Sequence, residues 1–235
     1  MNEDLLSGAV GLPDPATLGL EHRSDDDEID NTPATRTDRQ VEERNRILAL
    51  KRQAISRFIP DLPPSDTDIW IIGNSGASHK ALLAGQGEIF ELGHFIPVLV
   101  ERVGPPAEEL YISTWGINRD HIETLFDLYD TGRVKRITFV TDRSFQSRHP
   151  EVATPLYEGL EERGQRLGAF RNHVKAIAVK GQERVAIIMG SANLSSQPRA
   201  ENYVLSTAPE LYEWLTGEFF EPVFKRQEKR ARRRM

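Results

Sequence analysis

The spacing of apolar residues divides the chain into stretches of different period. Up to residue 37 there are few large apolar side chains after Leu20, and Asp, Thr, Pro and Gly dominate. Such a stretch buries too little to offset its ordering entropy, so residues 1–37 are expected to be a disordered acidic arm. The arm is either a solubilising tail or a device that masks a basic groove or recruits a partner. From Asp38 the period becomes helical. Ile47, Leu50, Ala54 and Phe58 recur at i, i+3, i+7 and i+11, with Leu48, Ile55 and Ile59 alongside. The pattern predicts an amphipathic helix of about 20 residues, capped by Thr37 or Asp38 and ended by Pro60. Asp61 to Ser65 then form a stiff linker, so 38–64 is read as one helix and a Pro linker. The helix suits either packing on the following domain or dimerisation.

Beyond the linker the apolar runs are short. Asp68–Ile72, Glu88–Leu92 and Phe95–Val100 read as strands, with His94 structural beside the last. Gly73 to Lys80 is a Gly-rich turn, with a helix expected from Ala81. It is either a structural turn or an anion-holding one, and it lacks the Lys-Ser/Thr spacing of a Walker A loop. Gly104-Pro105-Pro106 breaks the chain. A strand at Glu109–Thr114, a helix capped by Asn118 or Asp120 and stopped by Gly132, and a strand at Val134–Thr141 follow. This order predicts parallel strands with a right-handed crossover. A second helix is expected over Pro150–Gly164. Together these elements predict an α/β fold with a mixed, mostly parallel sheet flanked by helices. Ligands of open α/β sheets bind at the C-terminal strand edge. Arg143 and Arg148, just past a strand end, are therefore either substrate-facing or ordinary surface charges.

Composition narrows the classes. Cysteine is absent, which excludes disulfides and thiolate metal sites. No run approaches the roughly 20 apolar residues of a membrane span. The N-terminus has neither the basic nor the apolar region of a secretory signal. A cytoplasmic protein with no membrane partner is expected. The net charge of −6 hides a partition. Acid gathers in the N-terminal arm, and base gathers in the tail, 223–235. Residues 131–199 carry twelve Lys/Arg against six Asp/Glu, so an anionic partner is compatible with the sequence.

Candidate chemistry lies in two further apolar strands, 173–180 and 184–189, joined by Gly181-Gln182-Glu183 as a hairpin. If Lys180 pairs with Glu183 or Arg184, His173 comes opposite Gly190 or Ser191. His173 and Lys175 sit at i and i+2 and share a strand face. Gly190, Ser191 and Asn193 add close backbone approach, a hydroxyl and an amide. A strand over Glu201–Ser206 can return a carboxylate to the same region. The set suits phosphoryl chemistry. Lys175, Ser191 and Asn193 can bind phosphate oxygens, and His173 can act as nucleophile or acid/base. Glu201 can bond the other ring nitrogen.

His173-Val174-Lys175, then Gly190-Ser191-Ala192-Asn193-Leu194, then Glu201, resembles the signature half-site of the phospholipase D superfamily. The resemblance runs more loosely over about 107–220 and makes 65–222 the expected phospholipase D-like domain. One position departs: the family has Asp five residues after the Lys, and this chain has Lys180. The resemblance implies a phosphohistidine mechanism that needs no metal or cofactor, with a second His protonating the leaving oxygen. A chain with one half-site is then expected to form a homodimer with a shared site. Among such family members nucleases are common. The resemblance therefore implies a nuclease or phosphodiesterase with DNA or RNA as partner and catalytic His173, Lys175, Asn193 and Glu201; beside them Ser191, Arg143 and Arg171 are the expected substrate-binding residues. The alternative is a catalytically inactive module of the same fold that binds nucleic acid or a protein. A lipid phosphodiesterase is a third reading.

Overall fold

The computed structural model describes residues 38–58, 69–73, 81–82, 91–195 and 202–232. Helix α1 (Asp38–Phe58) lies where the helical period places it. It docks through Ile55, which is fully buried, and through Arg102 Nη2, which donates to the Ser56 carbonyl at 2.8 Å. The arm, the linker and the turn at 74–80 lie outside the described residues.

Eight strands follow the order β2-β1-β8-β7-β6-β3-β4-β5. Their ranges are β1 Ile69–Gly73, β2 Ala81–Leu82, β3 Glu109–Thr114, β4 Ile137–Asp142, β5 Arg166–Phe170, β6 Ala176–Lys180, β7 Val185–Gly190 and β8 Asn202–Ser206. The sheet is mixed, but the expectation of mostly parallel strands is wrong. Parallel pairing holds for β1–β2, β3–β4 and β4–β5. The other four pairings, β1–β8, β3–β6, β6–β7 and β7–β8, are antiparallel. The reason is connection length. The four-residue segment at 181–184 permits only a hairpin return, whereas β3 reaches β4 through the full helix α3 (Arg119–Asp130).

The strand-edge residues alternate between two cores. Leu110, Ile112, Ile137, Phe139, Ile177, Val179, Ala186 and Ile188 face helices α2 (Phe95–Val103), α3, the short α4 (Phe145–Arg148) and α5 (Pro150–Glu162). Tyr111, Val140, Ala176, Ala178 and Ile187 face α6 (Pro209–Trp214), a π-helical stretch at Leu215–Phe220, and α7 (Glu221–Arg232). Each Val, Leu, Ile or Phe among them, taken from water, stabilises by about 1.5–3 kcal/mol. Helix α7 runs across the expected boundary at 222/223, with Val223 and Phe224 buried.

Three local expectations are corrected. Phe95–Val100, read as a strand, begins α2; its residues are buried on every side, and a helix buried all round shows no amphipathic period. Ala81 begins the two-residue strand β2 rather than a helix. The hairpin register differs as well. Lys180 pairs with Val185 and Ala176 with Met189, so Lys175, not His173, falls beside Gly190. Strand β5, short and carrying Arg166 and Gly168, has no apolar alternation to announce it. Among the described residues, no helix is long and apolar enough to cross a membrane.

Candidate active site

Strands β3, β4 and β5 end together, and the segment 171–175 crosses their C-terminal edge before β6 begins. Ser113 pairs with Ala176, which brings this segment over the end of β3. Asn172 fixes it and is only 4% exposed. Its Nδ2 donates to Ser113 Oγ at 2.9 Å and to the Thr114 carbonyl at 3.3 Å, and its Oδ1 accepts from Val174 N at 3.0 Å. Ser113 Oγ donates to the Val174 carbonyl at 2.9 Å. The residues on both sides of His173 are thus clamped to β3. From β4, Asp142 accepts from Asn172 N at 2.7 Å and from Ser144 N and Oγ at 2.8 and 2.5 Å. Burial opposes the charge on Asp142, but the bonds from Ser144 and Asn172, with Arg143 nearby, outweigh it and hold the carboxyl below its usual range.

The clamp presents His173 to solvent while Lys175 stays buried at 7% exposure. Lys175 Nζ lies 3.0 Å from His173 Nδ1 and 3.2 Å from Nε2, and it donates to the His173 carbonyl at 3.0 Å. The imidazole and the ammonium thus lie side by side, ahead of β6 rather than on one face of it. Gly190 N donates to the Lys175 carbonyl at 3.2 Å, so the turn carrying Ser191 and Asn193 leaves β7 beside Lys175. Ser191 is exposed. Asn193 Oδ1 is buried with no hydrogen-bond partner among the described residues. Such an orphan calls for an explanation, and a bound donor in the site is one. Arg143 and Arg171 are exposed, immediately past β4 and β5. Glu201 lies outside the described residues; β8 starts at Asn202, and its Tyr203 pairs with Gly190. Lys180 is exposed at the far end of β6, its Nζ 5.8 Å from the Tyr212 ring centre. The departure from the family pattern touches none of the site residues described here.

A second histidine cluster lies behind the same turn. Leu92 N donates to the Asn193 carbonyl at 3.3 Å, and Asn118 N to the Leu194 carbonyl at 2.8 Å. Around them Glu91, His94 and His121 bring a carboxylate and two imidazoles within 4.8 Å of one another, all buried. Glu91 Oε2 accepts from Asn118 Nδ2 at 2.8 Å and contacts His121 Nε2 at 2.6 Å. His94 Nδ1 accepts from Glu91 N at 2.9 Å, and its Nε2 lies 3.3 Å from Lys51 Nζ. A metal-ligating imidazole needs the opposite arrangement, donating from its remaining nitrogen. The trio as bonded is a structural network rather than a metal centre. Gly93 makes it possible: a Cβ there would lie 2.4 Å from the His121 ring. A cavity of ≈ 370 Å³ separates α1 from this trio.

Sequence reasoning missed Asn172, Asp142 and Ser113, whose task is to hold His173. The available signal was local: Asn and Asp at strand ends bond backbone two residues on.

No family model and no curated protein matches the chain. Three solved structures share part of its path. A polyphosphate kinase from Porphyromonas gingivalis is 13% identical, with a TM-score of 0.46 over 65% of this chain and 25% of that one. TrmBL2, an archaeal chromatin protein whose structure shows a mode of DNA binding, is 12% identical, with a TM-score of 0.43 over 80% and 64%. A phosphatidylserine synthase from Haemophilus influenzae Rd KW20 is 19% identical, with a TM-score of 0.40 over 85% and 54%. The chain spans less than two thirds of each of these proteins.

Proposed function

We propose that the chain is a metal-independent phosphodiesterase, most specifically a nuclease, working through a phosphohistidine at a homodimeric site. The observation that carries this reading is an exposed imidazole, clamped on both sides to β3, with a buried ammonium against it. A nucleophile needs exposure and a fixed direction, and a phosphorane-like transition state needs positive charge beside it. In the reaction a His173 ring nitrogen forms a bond to phosphorus as the P–O bond to the leaving oxygen breaks. The partner subunit's His173 gives that oxygen a proton. Water then attacks phosphorus, the P–N bond breaks, and the proton returns. Lys175 and the Ser191–Asn193 turn hold the non-bridging oxygens, and Glu201 orients the ring. The second imidazole requires a two-fold contact between copies.

The test is cleavage of labelled DNA and RNA in EDTA, with molecular size measured in parallel. Cleavage that survives EDTA, is lost in His173→Ala and comes with a dimer supports the proposal. A fully active strict monomer would sink the shared site. Binding without cleavage, unchanged in His173→Ala, would favour an inactive binding module instead.

A further inference from the structure

The two ends of the same three strands treat their basic residues differently. At the N-terminal end of β3, β4 and β5 the cations are consumed by carboxylates. Arg133 pairs with Glu101, Lys135 with Glu108 at 2.6 Å, Arg136 with Glu109 at 2.9 Å, and Arg166 with Glu221 at 2.6 Å. At the C-terminal end, Arg143, Arg148 and Arg171 are all exposed, and among the described residues none of their guanidinium groups makes an ion pair or a hydrogen bond. Trp115 sits among them, directly after β3, and it is only partly buried. The Arg148 guanidinium lies over its ring at 5.7 Å, and His149 meets it edge-on at 5.8 Å. Trp115 adjoins the site through its neighbours: the Thr114 carbonyl accepts from Asn172, and the Gly116 carbonyl accepts from Leu194 N.

An indole and a guanidinium are planar surfaces on which bases stack, and unpaired arginines around them are phosphate ligands. Stacking needs a base whose face is free, which a duplex denies. We propose that Trp115 and Arg148 form a stacking platform, flanked by Arg143 and Arg171, that takes single-stranded nucleic acid and leads it across His173. This rests on the nuclease reading for its substrate class and adds the strandedness and the residues that select it.

The experiment uses the full chain carrying His173→Ala, so that binding is read without cleavage. Labelled dT and U oligomers of about 20 nucleotides, and a duplex of equal length, are titrated by fluorescence anisotropy. The expected result is tighter binding of single strands than of duplex. Adding Trp115→Ala or Arg148→Ala should weaken single-strand binding by about tenfold and leave duplex binding unchanged. Arg143→Ala and Arg171→Ala should weaken both and lower the salt slope by about one each. Arg148 is exposed, so its variant keeps the test meaningful should Trp115→Ala fold poorly. An unchanged single-strand to duplex ratio in Arg148→Ala, and in Trp115→Ala if folded, overturns the platform. Cleavage by the native chain is scored separately. Selective binding without cleavage defeats the nuclease reading alone, and cleavage indifferent to Trp115 and Arg148 defeats the platform alone.

Discussion

Two histidine clusters flank one turn, and they are built to opposite ends. At the sheet edge His173 is exposed, with its neighbours clamped and its own ring touched only by Lys175 among the hydrogen bonds described. Behind the turn His94 and His121 are 6% and 2% exposed and bonded to Glu91 and its backbone. The difference separates two uses of an imidazole. A buried ring with its bonding capacity committed joins segments far apart in sequence. An open ring on a rigid mount, met by a single ammonium among the hydrogen bonds described, can be reached from solvent by a reacting group. Asn118 ties the two regions together, since its side chain bonds Glu91 while its backbone N bonds the Leu194 carbonyl.

The comparison breaks most sharply at His173. His173→Ala should lower cleavage by about a thousandfold or more while the midpoint of denaturant unfolding stays put, because an exposed side chain contributes little to the core. Glu91→Ala should do the reverse. It leaves the Asn118 amide and the His121 ring without their acceptor, and equilibrium unfolding should show a loss of about 3 kcal/mol. Cleavage per folded molecule should remain near native. Asn172→Ala lies between the two: about 2 kcal/mol of stability and about tenfold in kcat, with KM little changed, because the clamp positions His173 rather than binding substrate. A drop confined to KM would remove the positioning role.

The buried cluster also carries a pH signature. Burial, reinforced by His121 and Lys51 and opposed by Glu91, pushes the His94 imidazole down to about 2. The unfolded ring titrates near 6.5, so between these values the unfolded chain holds one more proton and stability rises with pH. The contribution is complete above about 6.5 and falls as pH drops, by about 2 kcal/mol between pH 6.5 and 5. Unfolding of His94→Gln across that range should show a shallower slope. The smallest effect belongs to Lys180→Asp, which installs the residue that the half-site resemblance leads one to expect there. Since Lys180 points away from the site over Tyr212, stability should change by less than about 0.5 kcal/mol and cleavage hardly at all. A large gain in activity would mean that the far end of β6 matters to the chemistry.

What could be read from the sequence follows from which forces are local. The β3–α3–β4 unit was legible because period, cap and stop agree: Asn118 Oδ1 accepts from His121 N, and Gly132 adopts φ +72°. Strand alternation puts His173 and Lys175 on one strand face, whereas both precede β6 and the buried Lys175 side chain turns back to the exposed ring. Helix α2 was not legible, since a uniformly apolar run has no period to read. The hairpin register was missed because Gly181 sits against α2, where a Cβ would lie 2.3 Å from the Val103 carbonyl, and that contact is tertiary. The clamp at Asn172 joins residues 59 and 61 positions apart and exists only once β3 and β6 pair.

The strand order carries a practical consequence. The stretch resembling a known half-site begins near residue 107, which invites excision of a minimal fragment. Yet β1 covers β8 along its whole length, from Ile69 opposite Ser206 to Gly73 opposite Asn202. A fragment starting at 107 would bare that row of amide and carbonyl groups and strip α2 from the core. It would offer a sticky edge for strand-to-strand aggregation, so β1, in the unmarked stretch before residue 107, serves as a protective rim of the sheet that carries the chemistry.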